Sequence, residues 1–148
     1  MTGKKQIFIG IDPGTKTGVA VWNAAEKKME SVRTMNILEA IDYVKSLAEM
    51  DSENLTVRIE DPNQRKWFGK SGREKLQGAG SIKRDFAIWR EFLESEQINF
   101  EAIHPKKIAT KMRRPEFDRL TKWKAMTDQH GRDAAMMVFG IAERKILK

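Results

Sequence analysis

Apolar residues run almost without a break through 5–11, a pattern that predicts a central strand covered on both faces. Val19–Trp22 predicts a second strand, reached through the turn Pro13-Gly14-Thr15-Lys16-Thr17-Gly18. After the polar stretch 23–28, Met29–Arg33 alternates as an edge strand does. Three strands joined by tight turns make an antiparallel meander. Asn36 followed by Glu39 is a capping-box-like start, and Ile37, Leu38, Ile41, Val44 and Ala48 recur at helical spacing, so the pattern predicts an amphipathic helix over 37–50. Leu55–Ile59 is the next strand. It ends in Glu60, and Asp61 and Pro62 stop it.

Periodicity then fails. Residues 63–80, rich in Lys, Arg, Gly and Gln with Trp67-Phe68 among them, predict a long loop. Ser81 is placed to cap a helix over 81–95, where Ile82, Phe86, Ile88, Trp89, Phe92 and Leu93 cover more than one face. Ile98–Ile103 predicts a fifth strand, 104–124 is ambiguous and part helical, and a last helix runs from Gln129 through Ala134, Met137, Gly140, Ile141 and Ile146. This order predicts one α/β domain over 1–148. Its mixed five-stranded sheet has three antiparallel strands followed by helical crossovers, with helices flanking it.

Length agrees, since 148 residues suffice for one domain with a core. With no cysteine, disulfides, thiolate catalysis and cysteine-bound zinc are excluded. Residues 7–11 are too short an apolar run for a signal sequence, and no stretch approaches the roughly 20 apolar residues of a membrane span. The expectation is a cytoplasmic protein. The net charge is +7, and its distribution changes the picture more than its size. Eight lysines and arginines face two acids in 64–90, and eight face two again in 104–124, while the rest of the chain is acidic. Two such clusters suit a polyanion, most simply nucleic acid. Solvated surface is the plain alternative for either one.

Candidate chemistry gathers at the strand ends. Asp12 ends the first strand and Glu60 the fourth. If these strands are parallel neighbours, both carboxylates emerge at one sheet edge. His130 and Asp133 are three apart at the start of the last helix and share a face, which Met136, Met137, Gly140 and Ile141 continue into the core. Three carboxylates and an imidazole that converge suit hard divalent cations such as magnesium, and a pair of ions about 4 Å apart clamps both oxygens of a phosphodiester displacement. Each residue also has a plain role: Asp12 as a turn cap, Glu60 as strand-end surface charge, Asp133 as a first-turn helix acid.

These residues resemble the RuvC family of Holliday-junction resolvases, within the ribonuclease H-like superfamily. The likeness rests on Gly10-Ile11-Asp12-Pro13-Gly14 with Thr17-Gly18, on Glu60 within Arg58-Ile59-Glu60-Asp61-Pro62, and on His130 with Asp133 before Ala134-Ala135. It resembles compact, phage-type members, although 61–80 and 104–124 do not align by eye. The resemblance implies a homodimer that nicks two strands of a four-way DNA junction symmetrically, with two magnesium or manganese ions. Asp12 would bridge the ions, with Glu60 on one and Asp133 with His130 on the other. It implies a dimer surface on helix 81–95, where Ile88 and Phe92 lie outside the sheet-facing stripe. Trp67 or Phe68 would stack on a junction base, unless the pair tucks the loop onto the domain. Lys106 or Lys107 would reach the scissile phosphate, and Arg65, Lys66, Lys70, Arg73 and Lys111 would join them on the DNA. The setting implied is the cytoplasm of a bacterial or phage-infected cell, at the nucleoid. Two further readings keep part of this chemistry: a YqgF-like nuclease acting on RNA or other branched DNA, and an ATP-binding domain of the actin-like superfamily, suggested by the hairpin Asp12–Gly18.

Overall fold

The computed structural model describes residues 5–62, 72–104 and 111–144, with backbone alone for 72–79. The meander forms as β1 (Ile7–Asp12), β2 (Lys16–Asn23) and β3 (Lys28–Asn36). α1 (Ile37–Met50) crosses over to β4 (Leu55–Glu60), and α2 (Gly72–Ser95) leads to β5 (Asn99–Ile103). α3 (Arg114–Thr121) and α4 (Gln129–Met136) complete the order. The sheet runs β3-β2-β1-β4-β5, with β1 antiparallel to β2 and parallel to β4. The architecture is therefore α/β with a mixed five-stranded sheet and flanking helices.

Alternation along the strands divides the core into two layers. Ile9, Ile11, Val19, Val21, Val57 and Ile59 face α1 and α2, where Val44, Phe86, Trp89 and Leu93 meet them. Phe8, Ala20, Trp22 and Val32 face the other way, toward Phe117 of α3 and Ala134, Ala135 and Val138 in and after α4. Asp12, two residues on from Gly10 and four from Phe8, points to this second layer. Asn36 caps α1 by accepting from the Glu39 amide at 2.9 Å, which satisfies one of the helix's open donors. A bulge between Val21 and Trp22 leaves Glu30 of β3 unmatched across the ladder.

Several boundaries differ from the sequence pattern. α2 starts at Gly72 and not at Ser81. Residues 73–77 are good helix formers, and the glycines at 72, 78 and 80 had hidden the pattern by lowering its propensity. The last helix ends at Met136, not near Ile146. Gly140 adopts φ +82°, which a continuing helix forbids, and it is exposed. Beyond it the Trp22 indole takes the Ile141 carbonyl at 2.8 Å. Arg144 then exchanges two hydrogen bonds with Gln6 and lies 4.9 Å over the Phe8 ring. Phe92 is also not free on α2. It packs on the sheet-side core and meets Trp89 edge-on at 6.0 Å, which leaves Ile88 as the exposed large apolar residue among the described side chains of α2. Among the described residues no helix is long and apolar enough to cross a membrane.

Candidate active site

The parallel register pairs Ile11 with Ile59, so Asp12 and Glu60 leave the sheet side by side at its carboxyl edge. α4 reaches that edge because two strand positions lack side chains. A Cβ on Gly10 would overlap the Ala134 carbonyl, and one on Gly18 would overlap the His130 carbonyl. Backbone therefore lies on backbone, and the first turn of α4 is pressed against the end of β1. Asp128 fixes the helix start: its carboxylate accepts from the Gly131 amide at 3.0 Å and from the Thr34 hydroxyl on β3. Burial works to raise the Asp128 carboxyl, but the bonds from Thr34 and Gly131, with His130 and Arg132 nearby, outweigh it and hold the group below its ordinary value.

That docking brings His130 Nδ1 to 3.2 Å from Asp12 Oδ2. Asp133 lies one turn deeper. Its Oδ1 accepts from the Lys111 backbone amide at 2.9 Å and from Gln129 Nε2 at 2.8 Å. Burial lifts the Asp12 carboxyl from 3.8 to about 6. The His130 hydrogen bond and charge pull it down, and the negative charges of Asp133 and Glu60 push it up. The site is thus an acidic cluster whose central carboxyl is expensive to ionise without a cation.

No family model matches the chain, and no curated protein matches its sequence. Among solved structures, the chain is similar to T. thermophilus RuvC in complex with Holliday junction substrate, with a TM-score of 0.58 at 13% identity over 89% of this chain and 90% of that one. The fold is ribonuclease H-like. The large terminase nuclease from thermophilic phage G20c aligns at a TM-score of 0.37 and 16% identity, over 90% of this chain and 81% of its own, too loosely to carry an argument.

On this ribonuclease H-like frame, Asp12 and His130 are in contact, and Asp133 and Glu60 are near enough to act on the Asp12 charge. Lys111 also arrives, though by its main chain: it adopts φ 60° and gives its amide to Asp133. Arg65, Lys66, Trp67, Phe68, Lys70, Lys106 and Lys107 lie outside the described residues, and of Arg73 only the backbone on α2 is described. Thr34, Asp128 and Gln129 were not expected to serve the site. Asp128 carried a signal, being an N-cap residue directly before the helix. Thr34 and Gln129 carried none.

The donors fit a hard divalent cation by their chemistry. They are oxygen-rich, and their charges repel one another across a half-buried space. Asp12 Oδ1 and Asp133 Oδ2 accept no hydrogen bond among the described residues, while each partner oxygen is anchored. Among the same residues no three of His, Asp and Glu close around a single point, so a cation would draw these side chains inward.

Proposed function

We propose that the chain, as a single nuclease domain over 1–148, is a metal-dependent endonuclease that hydrolyses phosphodiesters in branched DNA, and that its substrate is the four-way junction. The observation that carries this reading is the meeting of Asp12, Glu60, Asp133 and His130 at one sheet edge, with Asp12 and His130 3.2 Å apart. The 0.58 likeness to a RuvC seen with a Holliday junction supports the substrate.

Asp12 would be shared by two magnesium or manganese ions, with Glu60 on one side and Asp133 and His130 on the other. When bound, such ions activate water and offset the charge that builds on the phosphate. The rest belongs to the chain. The Lys111 amide and Gln129 hold Asp133 in one orientation, so that its second oxygen stays available. Asp12 holds the imidazole by Nδ1, which leaves Nε2 either to join Asp133 on the cation or to orient the attacking water. Arg65, Lys66, Lys70, Arg73, Lys106 and Lys107 neutralise phosphates, and Trp67 or Phe68 stacks on an unpaired base at the branch. Paired nicks require two such sites, which a homodimer built on helix 81–95 supplies. The protein would work in the cytoplasm, at the nucleoid.

The test offers purified protein a mobile four-way junction, a flap, a linear duplex and an RNA–DNA hybrid, with and without magnesium. Symmetric nicks in the junction alone, lost by at least about 10²-fold in Asp12→Asn with binding retained, are expected. Cutting by Asp12→Asn removes the site assignment. Preference for the hybrid moves the substrate to RNA, and ATP hydrolysis without cleavage overturns the nuclease reading.

A further inference from the structure

A second concave surface lies at the opposite end of the sheet from Asp12. There the hairpin between β2 and β3 meets the end of α3, and a groove of about 480 Å³ opens between them. That is within the size range of ligand sites. Its rim carries Lys27 and Lys28 from the hairpin and Lys122 and Lys124 from the segment after α3, residues almost a hundred positions apart in the chain. All four are exposed, no acid lines the groove, and none of the four forms an ion pair among the described residues. The walls are aromatic: Trp123 and Phe139, with Trp22 meeting Phe139 edge-on at 5.2 Å. Trp123 Nε1 is buried with no hydrogen-bond partner, a donor that the fold itself does not satisfy.

We propose that this groove binds single-stranded DNA, with a base against the aromatic wall and flanking phosphates on the four lysines. Cationic rim, aromatic wall and absence of acid are the combination that holds a strand without reading its sequence. The one hydroxyl in the lining, that of Thr121, already donates to the Phe117 carbonyl at 2.8 Å and accepts from the Trp123 amide at 3.2 Å. The lining's one side-chain hydroxyl is thus engaged, and the Trp123 indole and the lysines suit a base edge and phosphates, which favours DNA over RNA. The groove is far from the acidic edge and binds whether or not the chain cleaves.

The test measures binding of fluorescent dT12 to the wild-type chain in EDTA, beside an abasic dodecamer, rU12 and a polyglutamate peptide. The variant replaces Lys27, Lys28, Lys122 and Lys124 with Gln, all at exposed positions, and its melting temperature is checked first. The expected result is a loss of about 30-fold for dT12 at 50 mM salt, with a log–log salt slope shallower by about 3. The abasic strand should bind the wild type about 10-fold more weakly than dT12. A folded variant that binds dT12 as the wild type does overturns the proposal. So does equal binding of the abasic strand or of polyglutamate, and so does tighter binding of rU12. Because cleavage is not read, failure here and failure of the nuclease reading are separate results.

Discussion

On one face of the sheet Ile9, Ile11, Val57 and Ile59 meet Val44, Trp89 and Leu93, whereas on the other β1 and β2 offer Gly10 and Ala20 to Ala134 and Ala135, and Gly18 to the backbone of His130. The first face is held by the volume of its side chains, whereas on the second, where α4 crosses β1 and β2, their absence sets the contact. Large side chains keep a helix about 8–10 Å from what it packs on and tolerate small changes in shape. Main chain against main chain has no such slack. The acidic site is built on the unforgiving face, because an imidazole and a carboxylate from α4 must reach a carboxylate on β1. Position there is set by backbone contact rather than by rotamers.

The sharpest way to break this contrast is Gly18→Ala. Its methyl would meet a carbonyl that cannot turn aside, so α4 must lift. A loss of more than about 3 kcal/mol in urea unfolding is expected, with cleavage abolished. A variant that keeps both its stability and the Asp12–His130 contact would show that the face is not close-packed.

Asp12→Asn asks what the site costs the fold. An acid raised from 3.8 to about 6 binds its proton more tightly folded than unfolded. Stability from this group is therefore full below about pH 4, declines as pH rises toward 6, and is at its lowest above 6. Asn carries no such charge, so the variant should be more stable by up to about 3 kcal/mol at pH 7.5, and equal to the wild type near pH 4. Melting across pH checks it, and a gain that does not depend on pH would contradict it. Magnesium binding by the wild type should weaken as pH drops through about 6, where the metal-free Asp12 takes up its proton, so cleavage at limiting magnesium should fall with it.

Smaller changes separate the faces further. Ile9→Val, on the forgiving face, should cost about 1 kcal/mol and leave cleavage by the folded protein unaltered. Asp128→Ala, on the other, should cost a similar 1 kcal/mol by uncapping α4, yet should also reduce cleavage, because the turn that carries His130 loosens. Gly80→Ala is the control. It is exposed in α2, and no described residue lies within 4 Å of where its Cβ would stand, so a methyl there should stabilise by about 0.5–1 kcal/mol and leave cleavage unaltered.

Much of this could be read before the fold was seen, for particular reasons. Runs such as Ile7–Ile11 and Leu55–Ile59 state their burial outright, and the two acids at their ends follow from a parallel register that one helical crossover allows. The pairing of His130 with Asp133 was legible because helical spacing is fixed. What was not legible depended on contacts distant in sequence. The use of Gly10 and Gly18 as landing sites for α4, the Thr34–Asp128 tie and the Lys111 amide on Asp133 join segments far apart in the chain, as Gly10 is from Ala134. The early start of α2 was hidden by glycines that a tertiary setting tolerates, and the early stop of α4 by apolar residues that pack equally well in the turns that follow it. Hydrophobic pattern reports burial and is silent about which backbone carries it.

The bulge at Val21 and Trp22 has a consequence for how copies of this chain can meet. β3 is a border strand, and a flat border invites another chain to hydrogen-bond along it and grow a fibre. Here one surplus residue interrupts the ladder, and that residue is Glu30, exposed, with Lys28 and Arg33 likewise turned outward nearby. An incoming strand would lose registry at the bulge and have to desolvate three charges. The sheet is thus guarded against extension at β3, and two copies of this chain have reason to meet through some other surface.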